Sequence, residues 1–362
     1  MVGILTFHKA INYGAVLQAY ALCTAVESLG KPCSVMNYVG KKMLAESKTL
    51  YFPKPECVID RLLWYYRLPM RAAQVRKFEK FLNKKLNLSH PGVTDASTLH
   101  KIANSYEALI TGSDQVFNYE GTGEDFNYYL EFPTAAKKIA YAPSFGLQNI
   151  DEEHTARVAA ALSDFDTLSV REELGADIVE NLIQKRPAQV CDPTFLLSKA
   201  QWEQLCVAPK RKKPYVLIYS FGSRHLEAVA SQLAAQIGAD VVNINRMLPE
   251  MIGGNVKNAY APSPQEFLGL IRDAEIVITN SFHGTALSIL LEKEFYTFTN
   301  HYANSQATNN RFDTLGKTLG LADRIYTSTA NVCRSPVDYT PVRDKISQWK
   351  KESLNFLTQA LE

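Results

Sequence analysis

Residues 2–38, VGILTFHKAINYGAVLQAYALCTAVESLGKPCSVMNY, decide the fold of this chain. Short apolar runs at 2–7 and 33–38 predict two strands, and apolar positions 15, 16, 19, 22, 26 and 29 predict a helix between them. Gly30 is a typical residue for the end of that helix. A strand, a helix and a strand in succession form a βαβ unit, which implies parallel strands joined by a right-handed crossover.

The same alternation continues along the chain. Apolar runs predict further strands at 108–111, 138–141, 167–170, 188–191, 215–220, 241–244 and 275–279. Pro209 and Pro214 bracket the basic run Lys210-Arg211-Lys212-Lys213, which is typical of a linker between domains. The sequence therefore predicts an α/β protein with parallel sheets in two domains, 1–207 and 208–330, that face each other across a cleft. A C-terminal helical segment, 331–362, could pack back on the first domain.

Composition excludes several classes of protein. The 362 residues carry a net charge of +2, so no strong field favours nucleic acid as a partner. No apolar run reaches the ~18–20 residues that a membrane span needs, and the N-terminus lacks a secretory signal pattern, so we expect a cytoplasmic protein. The six cysteines contain no C-x-x-C pair and are expected to be reduced core thiols, without a metal site.

The loop after the predicted strand at 275–279 is the strongest candidate for a site, because open parallel sheets bind ligands beyond the carboxyl ends of their strands. A helix N-terminus in this loop would suit a phosphate or a carboxylate, and His283 can exchange a proton near neutral pH. The alternative interpretation is that these polar residues only cap the helix. The residues expected to bind an anionic donor here are Asn280, Ser281, Gly284 and Thr285.

Other predicted strand ends carry weaker candidates. Arg171 could bind a carboxylate or phosphate through both arms of its guanidinium, or could be an ordinary arginine paired with glutamate. The loop after the strand at 215–220 adds Ser220 and Arg224 on the donor side. The candidates for acceptor binding are Lys9, Asn12, Tyr13, Gln18, Ser113 and Asp114. The loop at 8–14 lacks the three glycines of a dinucleotide-binding fingerprint, which disfavours NAD.

The segment 41–85 is strongly basic, with twelve Lys or Arg and four Asp or Glu. It also contains Leu62-Leu63-Trp64-Tyr65-Tyr66, and basic plus aromatic residues could favour contact with an anionic membrane face. The interpretation that we favour is a covering helix pair whose aromatic residues are buried.

Five motifs taken together resemble the polysaccharide pyruvyl transferase family. They occur in the family's order and extend over most of the chain: GILTFHKAINYGAVLQ (3–18), ITGSDQVFN (110–118), SVRE (169–172), DPTFL (192–196) and TNSFHGT (279–285). The resemblance implies a fold similar to GT-B glycosyltransferases, with two Rossmann-like domains across a cleft. It also implies transfer of a pyruvyl group from phosphoenolpyruvate to sugar hydroxyls of a polysaccharide or oligosaccharide, which forms a ketal on a cell-surface glycan or exopolysaccharide.

The resemblance also assigns roles to residues. Arg171 matches an arginine that binds the donor, and His283 matches the last residue of an Arg-x-His triplet; we expect it to protonate C3 of the enol. Ser281 stands where the family has the second arginine. The missing charge would then come from Lys9, Arg224, Arg246 or Arg311.

The expected partners are phosphoenolpyruvate and a sugar acceptor, free or lipid-linked; no cofactor and no metal is expected. Two alternatives stay open at this point. One is a glycosyltransferase that uses a nucleotide sugar on the same architecture. The other is an inactive relative that binds sugars or anions, for which Ser281 is the best support.

Overall fold

The first half of the chain forms a six-stranded sheet in a computed structural model, which describes residues 1–42, 44, 58–89, 92–221, 225–244, 256–299, 305–329 and 332–362. The sheet order is β2-β1-β3-β4-β5-β6, and every neighbouring pair is parallel. The strands are β1 (Val2–Leu5), β2 (Cys33–Val35), β3 (Ala108–Thr111), β4 (Lys137–Ala140), β5 (Thr167–Val170) and β6 (Ala188–Gln189). The helices are α1 (Tyr13–Ser28), α2 (Val58–Lys85), α3 (Ala96–Ala103), α4 (Tyr119–Thr122), α5 (Glu152–Ser163), α6 (Glu173–Ile183) and α7 (Lys199–Leu205), with 3₁₀ turns at Phe126–Tyr129 and Pro193–Leu196.

The second half forms another parallel six-stranded sheet, with the order β12-β11-β10-β7-β8-β9. Its strands are β7 (Tyr215–Tyr219), β8 (Asp240–Ile244), β9 (Val256–Ala259), β10 (Ile276–Thr279), β11 (Glu294–Phe298) and β12 (Ile325–Tyr326). The helices are α8 (Leu226–Ile237), α9 (Pro264–Arg272), α10 (Phe282–Leu290), α11 (Ser305–Leu319) and α12 (Thr340–Leu361), with a 3₁₀ turn at Ala322–Arg324. The predicted fold class, α/β with two parallel sheets, is confirmed. The exact domain boundaries stay a prediction.

Local sequence explains where the helices that matter for the site begin. The Asn12 side chain accepts hydrogen bonds from the backbone N–H groups of Gly14 and Ala15 and so caps α1. Ser263 and Glu266 form a reciprocal capping box at α9, with Pro264 at its first position. Helix α10 begins at Phe282, because Ser281 is its N-cap and accepts from the Gly284 N–H.

Aromatic and C-terminal contacts join the two halves. The Tyr13 ring, on α1, stacks on Phe267 of α9 with 4.2 Å between ring centroids, and its hydroxyl donates to the Pro262 carbonyl over 2.8 Å. Helix α12 returns to the first half, where the Ser353 hydroxyl oxygen accepts from the Cys191 N–H at 2.9 Å. These contacts bring the carboxyl ends of strands from both sheets near each other.

The predictions about the cysteines and about the basic segment 41–85 can be compared with the structure in part, because some of these residues lie outside the described ranges. Cys23 on α1 and Cys33 on β2 are adjacent buried thiols, and with Glu27 they place possible ligand atoms within 4.8 Å of one another. This group lies at the amino end of β2, away from the carboxyl ends where the polar loops lie. The expected absence of a metal stays a prediction.

The basic segment 41–85 is described only in part. The rings of Tyr65 and Tyr66 on α2 are 61% and 48% exposed, so these two aromatic residues are not in the core, contrary to the interpretation that we favoured. The side chains of 62–64 lie outside the described residues. Among the residues that the structure describes, no helix is both long and apolar enough to cross a bilayer.

Candidate functional site

Polar side chains from both halves meet at the carboxyl ends of the strands. Arg171 directly follows β5, Asp192 lies three residues beyond β6, and Ser113 lies two residues beyond β3. His283 is the second residue of α10, which follows β10 in the other sheet. Parallel strands end at the same edge of a sheet, so residues far apart in sequence become neighbours there.

Asp192 is the centre of this cluster. Its carboxylate is fully buried and accepts hydrogen bonds from the Ser113 hydroxyl (3.0 Å), the Arg171 Nη1 (2.8 Å) and the backbone N–H and hydroxyl of Thr194 (3.0 and 2.7 Å). Burial by itself raises the pKa of this carboxyl, but the charges of His283 and Arg171 together with these hydrogen bonds outweigh it and hold the pKa well below its usual range. Asp192 is therefore a fixed negative charge at neutral pH.

Arg171 is buried and held by two carboxylates. Its Nε donates to Glu172 Oε1 at 2.9 Å, and its Nη1 donates to Asp192. Burial lowers the pKa of this guanidinium, but the negative charges of Glu172, Asp192 and Asp114 raise it by more than burial lowers it. The group is therefore always charged. The Nη2 atom is buried and has no hydrogen-bond partner among the described residues. The pairing with glutamate that we considered from sequence is present, but it leaves one arm of the guanidinium unused.

The His283 imidazole approaches the same Asp192 oxygen, Oδ2, that Arg171 binds. Its Nε2 is 3.5 Å from this oxygen and, within the described part of the chain, has no hydrogen-bond partner. The ring packs against Gly14 of α1, where a Cβ atom would come within 2.1 Å of the His283 Nδ1. Gly14 lies in the first turn of α1, and its lack of a side chain allows this close approach.

The remaining residues of the donor loop hold the loop together. The Asn280 side chain accepts from the Phe221 N–H (2.8 Å) and donates to the Phe221 carbonyl (3.1 Å), which joins the loops after β7 and β10. The Thr285 hydroxyl bonds the Ser281 carbonyl and the Thr297 hydroxyl. Gly284 lets α10 pack on Thr279, whose Oγ1 would lie 2.4 Å from an added Cβ. The capping interpretation thus describes Ser281 and its neighbours well.

Two further donor-side candidates contribute little to this cluster. Ser220 follows β7 and is partly buried. Arg224 lies outside the described residues, as does Arg246.

The acceptor-side candidates differ in whether their side chains are hydrogen-bonded within the protein. The hydroxyl of Tyr13 is engaged by Pro262 and by Gln74, and that of Ser113 by Asp192. Gln18 donates to the Thr6 hydroxyl and the Ala15 carbonyl, whereas its buried Oε1 has no partner among the described residues. Three candidates lie partly exposed near the strand ends: Lys9, Asn12 and Asp114.

Asp114 has an unusual backbone, with a φ of 74°, and its carboxylate accepts from the Gln115 N–H at 2.9 Å. An aspartate in this left-handed region is uncommon and requires local support. Here the local hydrogen bond fixes the turn and directs the negative charge of Asp114 towards the cluster, where it raises the pKa of Arg171.

Sequence reasoning missed Asp192 as a site residue and treated Asp192-Pro193 only as a break after a strand. The available signal was an aspartate directly after a predicted strand at 188–191, the same position that singled out the other loops. Glu172 and Phe282 were missed as well. They adjoin Arg171 and His283, and only packing shows that the Phe282 ring lies 4.3 Å from the Arg171 guanidinium carbon.

Fold and site together define an α/β protein with two parallel six-stranded sheets and a buried cluster of carboxylates, arginine and histidine at the strand ends. The chain belongs to the polysaccharide pyruvyl transferase family, whose model matches residues 12–302. No curated protein sequence matches the chain.

Solved structures similar to this chain include three with low sequence identity. E. coli heptosyltransferase WaaC with ADP-2-deoxy-2-fluoro heptose is 12% identical, with 97% of this chain and 99% of that chain covered and a TM-score of 0.41. A putative UDP-N-acetylglucosamine 2-epimerase from Listeria monocytogenes is 9% identical, with 99% and 90% covered and a TM-score of 0.48. A UDP-glucosyltransferase from Polygonum tinctorium is 10% identical, with 99% and 98% covered and a TM-score of 0.47.

Proposed function

We propose that this protein transfers a pyruvyl group from phosphoenolpyruvate to hydroxyl groups of a polysaccharide or oligosaccharide sugar and forms a pyruvate ketal. The observation that carries the proposal is a pair of buried nitrogens beside Asp192 that make no hydrogen bond among the described residues, Arg171 Nη2 and His283 Nε2. A buried polar group without a partner costs about 1–3 kcal/mol. A ligand that accepts hydrogen bonds from both nitrogens recovers that cost, and family membership supports phosphoenolpyruvate as this ligand.

Phosphoenolpyruvate suits the charges of the cluster because it carries both a carboxylate and a phosphate. Arg171 binds one of these groups through its free arm, while Glu172 and Asp192 hold the guanidinium in a fixed orientation. Preorganised cations of this kind stabilise the charge that develops on a departing phosphate. Both Arg171 and His283 are buried, so the proposal requires that the segments around them open for the donor to enter.

In the proposed reaction, a sugar hydroxyl oxygen forms a bond to C2 of the enol and gives up its proton, while His283 delivers a proton to C3. The product is a tetrahedral adduct that still carries the phosphate. A second hydroxyl of the sugar then attacks C2 and loses its proton as the C2–O bond to phosphate breaks. One ketal and one inorganic phosphate result, so no redox partner is needed.

Asp192 positions the imidazole for this step. It is a fixed negative charge 3.5 Å from Nε2 and is itself held by Ser113 and Thr194. On the acceptor side, the unpartnered Gln18 Oε1 suits a sugar hydroxyl as donor, and Asp114 is the candidate base for the attacking hydroxyl.

Thermal shift and phosphate release test the proposal together. Phosphoenolpyruvate at 100 times its dissociation constant stabilises a specific binder by about 2.7 kcal/mol. We expect stabilisation by phosphoenolpyruvate and not by UDP-sugars, followed by phosphate release with hexosides that carry neighbouring free hydroxyls. Stabilisation by a UDP-sugar alone would identify a nucleotide-sugar transferase. Binding of phosphoenolpyruvate without phosphate release from any glycan would identify an inactive relative.

We further propose a cytoplasmic protein that meets lipid-linked acceptors through contact of the basic segment 41–85 with an anionic membrane face. The exposed rings of Tyr65 and Tyr66 on α2 support this. Flotation with liposomes that contain acidic lipid tests it: we expect salt-sensitive binding, and no binding at low salt would contradict it.

A further inference from the structure

A second arginine, Arg311, lies beside Arg171 although the two are far apart in sequence. Helix α11, which carries Arg311, packs on the start of α6: the Leu174 N–H donates to Asn310 Oδ1 at 3.3 Å, and the Glu173 N–H donates to Thr314 Oγ1 at 3.5 Å. Arg171 directly precedes this helix start. These two contacts therefore hold Arg311 at the same corner of the first sheet as Arg171.

One aromatic ring connects the two guanidinium groups. The Phe282 ring centroid lies 4.3 Å from the Arg171 Cζ and 5.8 Å from the Arg311 Cζ. Phe282 precedes His283 on α10, and the centroids of the two rings lie 5.3 Å apart. The Phe282 ring thus has Arg171, Arg311 and His283 as neighbours, and these three come from separate elements.

Arg311 lacks the partners that a buried structural arginine has. Its Nε atom is buried and has no hydrogen-bond partner in the part of the chain that the structure describes. The carboxylates of Glu172 and Asp192 are already hydrogen-bonded to Arg171. Burial first, and then the positive charge of Arg171, lower the pKa of Arg311 to about 10, against the opposing effect of the nearby carboxylates.

Two like charges in a buried region repel each other unless an anion lies between or beside them. Of the other cations that the sequence suggested, Lys9 lies near Gly92, and 224 and 246 lie outside the described residues. Among the candidates that the structure describes, Arg311 is the one with contacts in the cluster.

We propose that Arg311 is a donor-binding residue, whose guanidinium binds one of the two anionic groups of phosphoenolpyruvate alongside Arg171. The inference rests on the proposed function and deepens it. It gives the site a second arginine from α11, while Ser281 remains the cap of α10.

Isothermal titration of phosphoenolpyruvate into the wild type, Arg311→Gln and Arg311→Lys tests this. A hydrogen bond to a charged group contributes a factor of roughly 10 to 100 to the binding affinity. We expect a loss of that size in Arg311→Gln and a partial recovery in Arg311→Lys. Because the buried Nε of Arg311 makes no hydrogen bond among the described residues and the neighbouring charge of Arg171 repels it, we expect the Tm of Arg311→Gln to equal or exceed that of the wild type.

Lys317→Gln is the matched control, since it removes the same charge from an exposed position on the same helix. Its affinity should match the wild type; an equal loss there would show a general charge effect and overturn the inference. Unchanged affinity in Arg311→Gln, with or without a lower Tm, would also overturn it. A wild type that binds no phosphoenolpyruvate would instead overturn the proposed function itself.

Discussion

Two histidines of this protein occupy similar places and have opposite surroundings. His8 follows β1 and His283 follows β10, each beyond the carboxyl end of a parallel strand, and both are buried. The His8 Nδ1 pairs with the Thr6 carbonyl at 3.2 Å, and its Nε2 pairs with the side-chain amide of Asn37 at 3.0 Å. The His283 Nε2 has no partner among the described residues and faces the Asp192 carboxylate.

This difference distinguishes His8, whose role is structural, from His283, the proposed acid. His8 is satisfied by its own neighbours, and burial lowers its pKa, so it stays neutral and contributes to packing. His283 is held in place by Gly14 and Asp192 but keeps one nitrogen without a protein partner. Buried polar atoms without a hydrogen bond are costly in a folded core, and those of Arg171 and His283 support the proposed binding of a ligand beside Asp192.

The largest expected effect is the loss of turnover in His283→Ala. Removal of a general acid costs about 10²–10⁴ in rate, and we expect the variant to stay folded because Asp192 keeps its hydrogen bonds to Arg171, Ser113 and Thr194. Phosphate release from phosphoenolpyruvate measures the rate, and Tm measures the fold. Turnover close to that of the wild type would show that His283 is not the acid.

Asp192→Asn should have the largest effect on stability, because it leaves Arg171 buried beside a neutral amide. Breaking a buried ion pair costs about 3–5 kcal/mol, which urea denaturation at pH 7 measures. Because the pKa of this carboxyl is lower in the folded chain than in the unfolded chain, its charge adds to the free energy of unfolding above about pH 4, the ordinary pKa of aspartate. This contribution decreases as the pH falls below about 4. The wild type and the variant should therefore converge in stability below pH 4; a constant difference would contradict this electrostatic role.

Gly14→Ala should lower turnover, and the clash with the base of the buried His283 side chain should lower Tm by more than the helix propensity of alanine raises it. The new Cβ would come within 2.1 Å of the His283 Nδ1 and displace the imidazole, and a misplacement of about 1 Å can cost about 100-fold in rate. Alanine is a better helix former than glycine. Gly175→Ala is the control, since its Cβ would meet no atom closer than 3.5 Å. Equal turnover in the two variants would show that Gly14 does not position the imidazole.

The smallest effect concerns His8 and appears only in acid. Because the pKa of His8 is lower in the folded chain than in the unfolded chain, the unfolded chain takes up the proton at a higher pH. The free energy of unfolding is therefore at its full value above about pH 6.5 and decreases as the pH falls below it. His8→Gln should remove part of this slope, by at most about 1.4 kcal/mol per pH unit. Stability measured by urea between pH 7 and pH 5 checks this, and identical slopes in the two proteins would contradict it.

Sequence alone predicted the elements whose apolar runs are short and clearly bounded. The strands at 108–111 and 167–170 were predicted with the bounds that the structure has. Strands β9, β11 and β12 were not predicted; β9, Val-Lys-Asn-Ala, has too few apolar residues to distinguish it from a loop.

The site could be predicted only as separate loops. Arg171 and His283 stood out because each follows an apolar strand, but their shared partner Asp192 depends on how two sheets pack. The role of Gly14 is likewise invisible in sequence, because it depends on the ring of a residue in the other half of the chain. The resemblance to a family suggested the ligand class, and the positions of the side chains support the proposal that Arg171 Nη2 and His283 Nε2 bind it.

A crystal structure of the protein soaked with phosphoenolpyruvate tests the central claim most directly. We expect electron density for the donor within hydrogen-bond distance of both Arg171 Nη2 and His283 Nε2. Density for the donor at another place, beyond hydrogen-bond distance of both nitrogens, would contradict this.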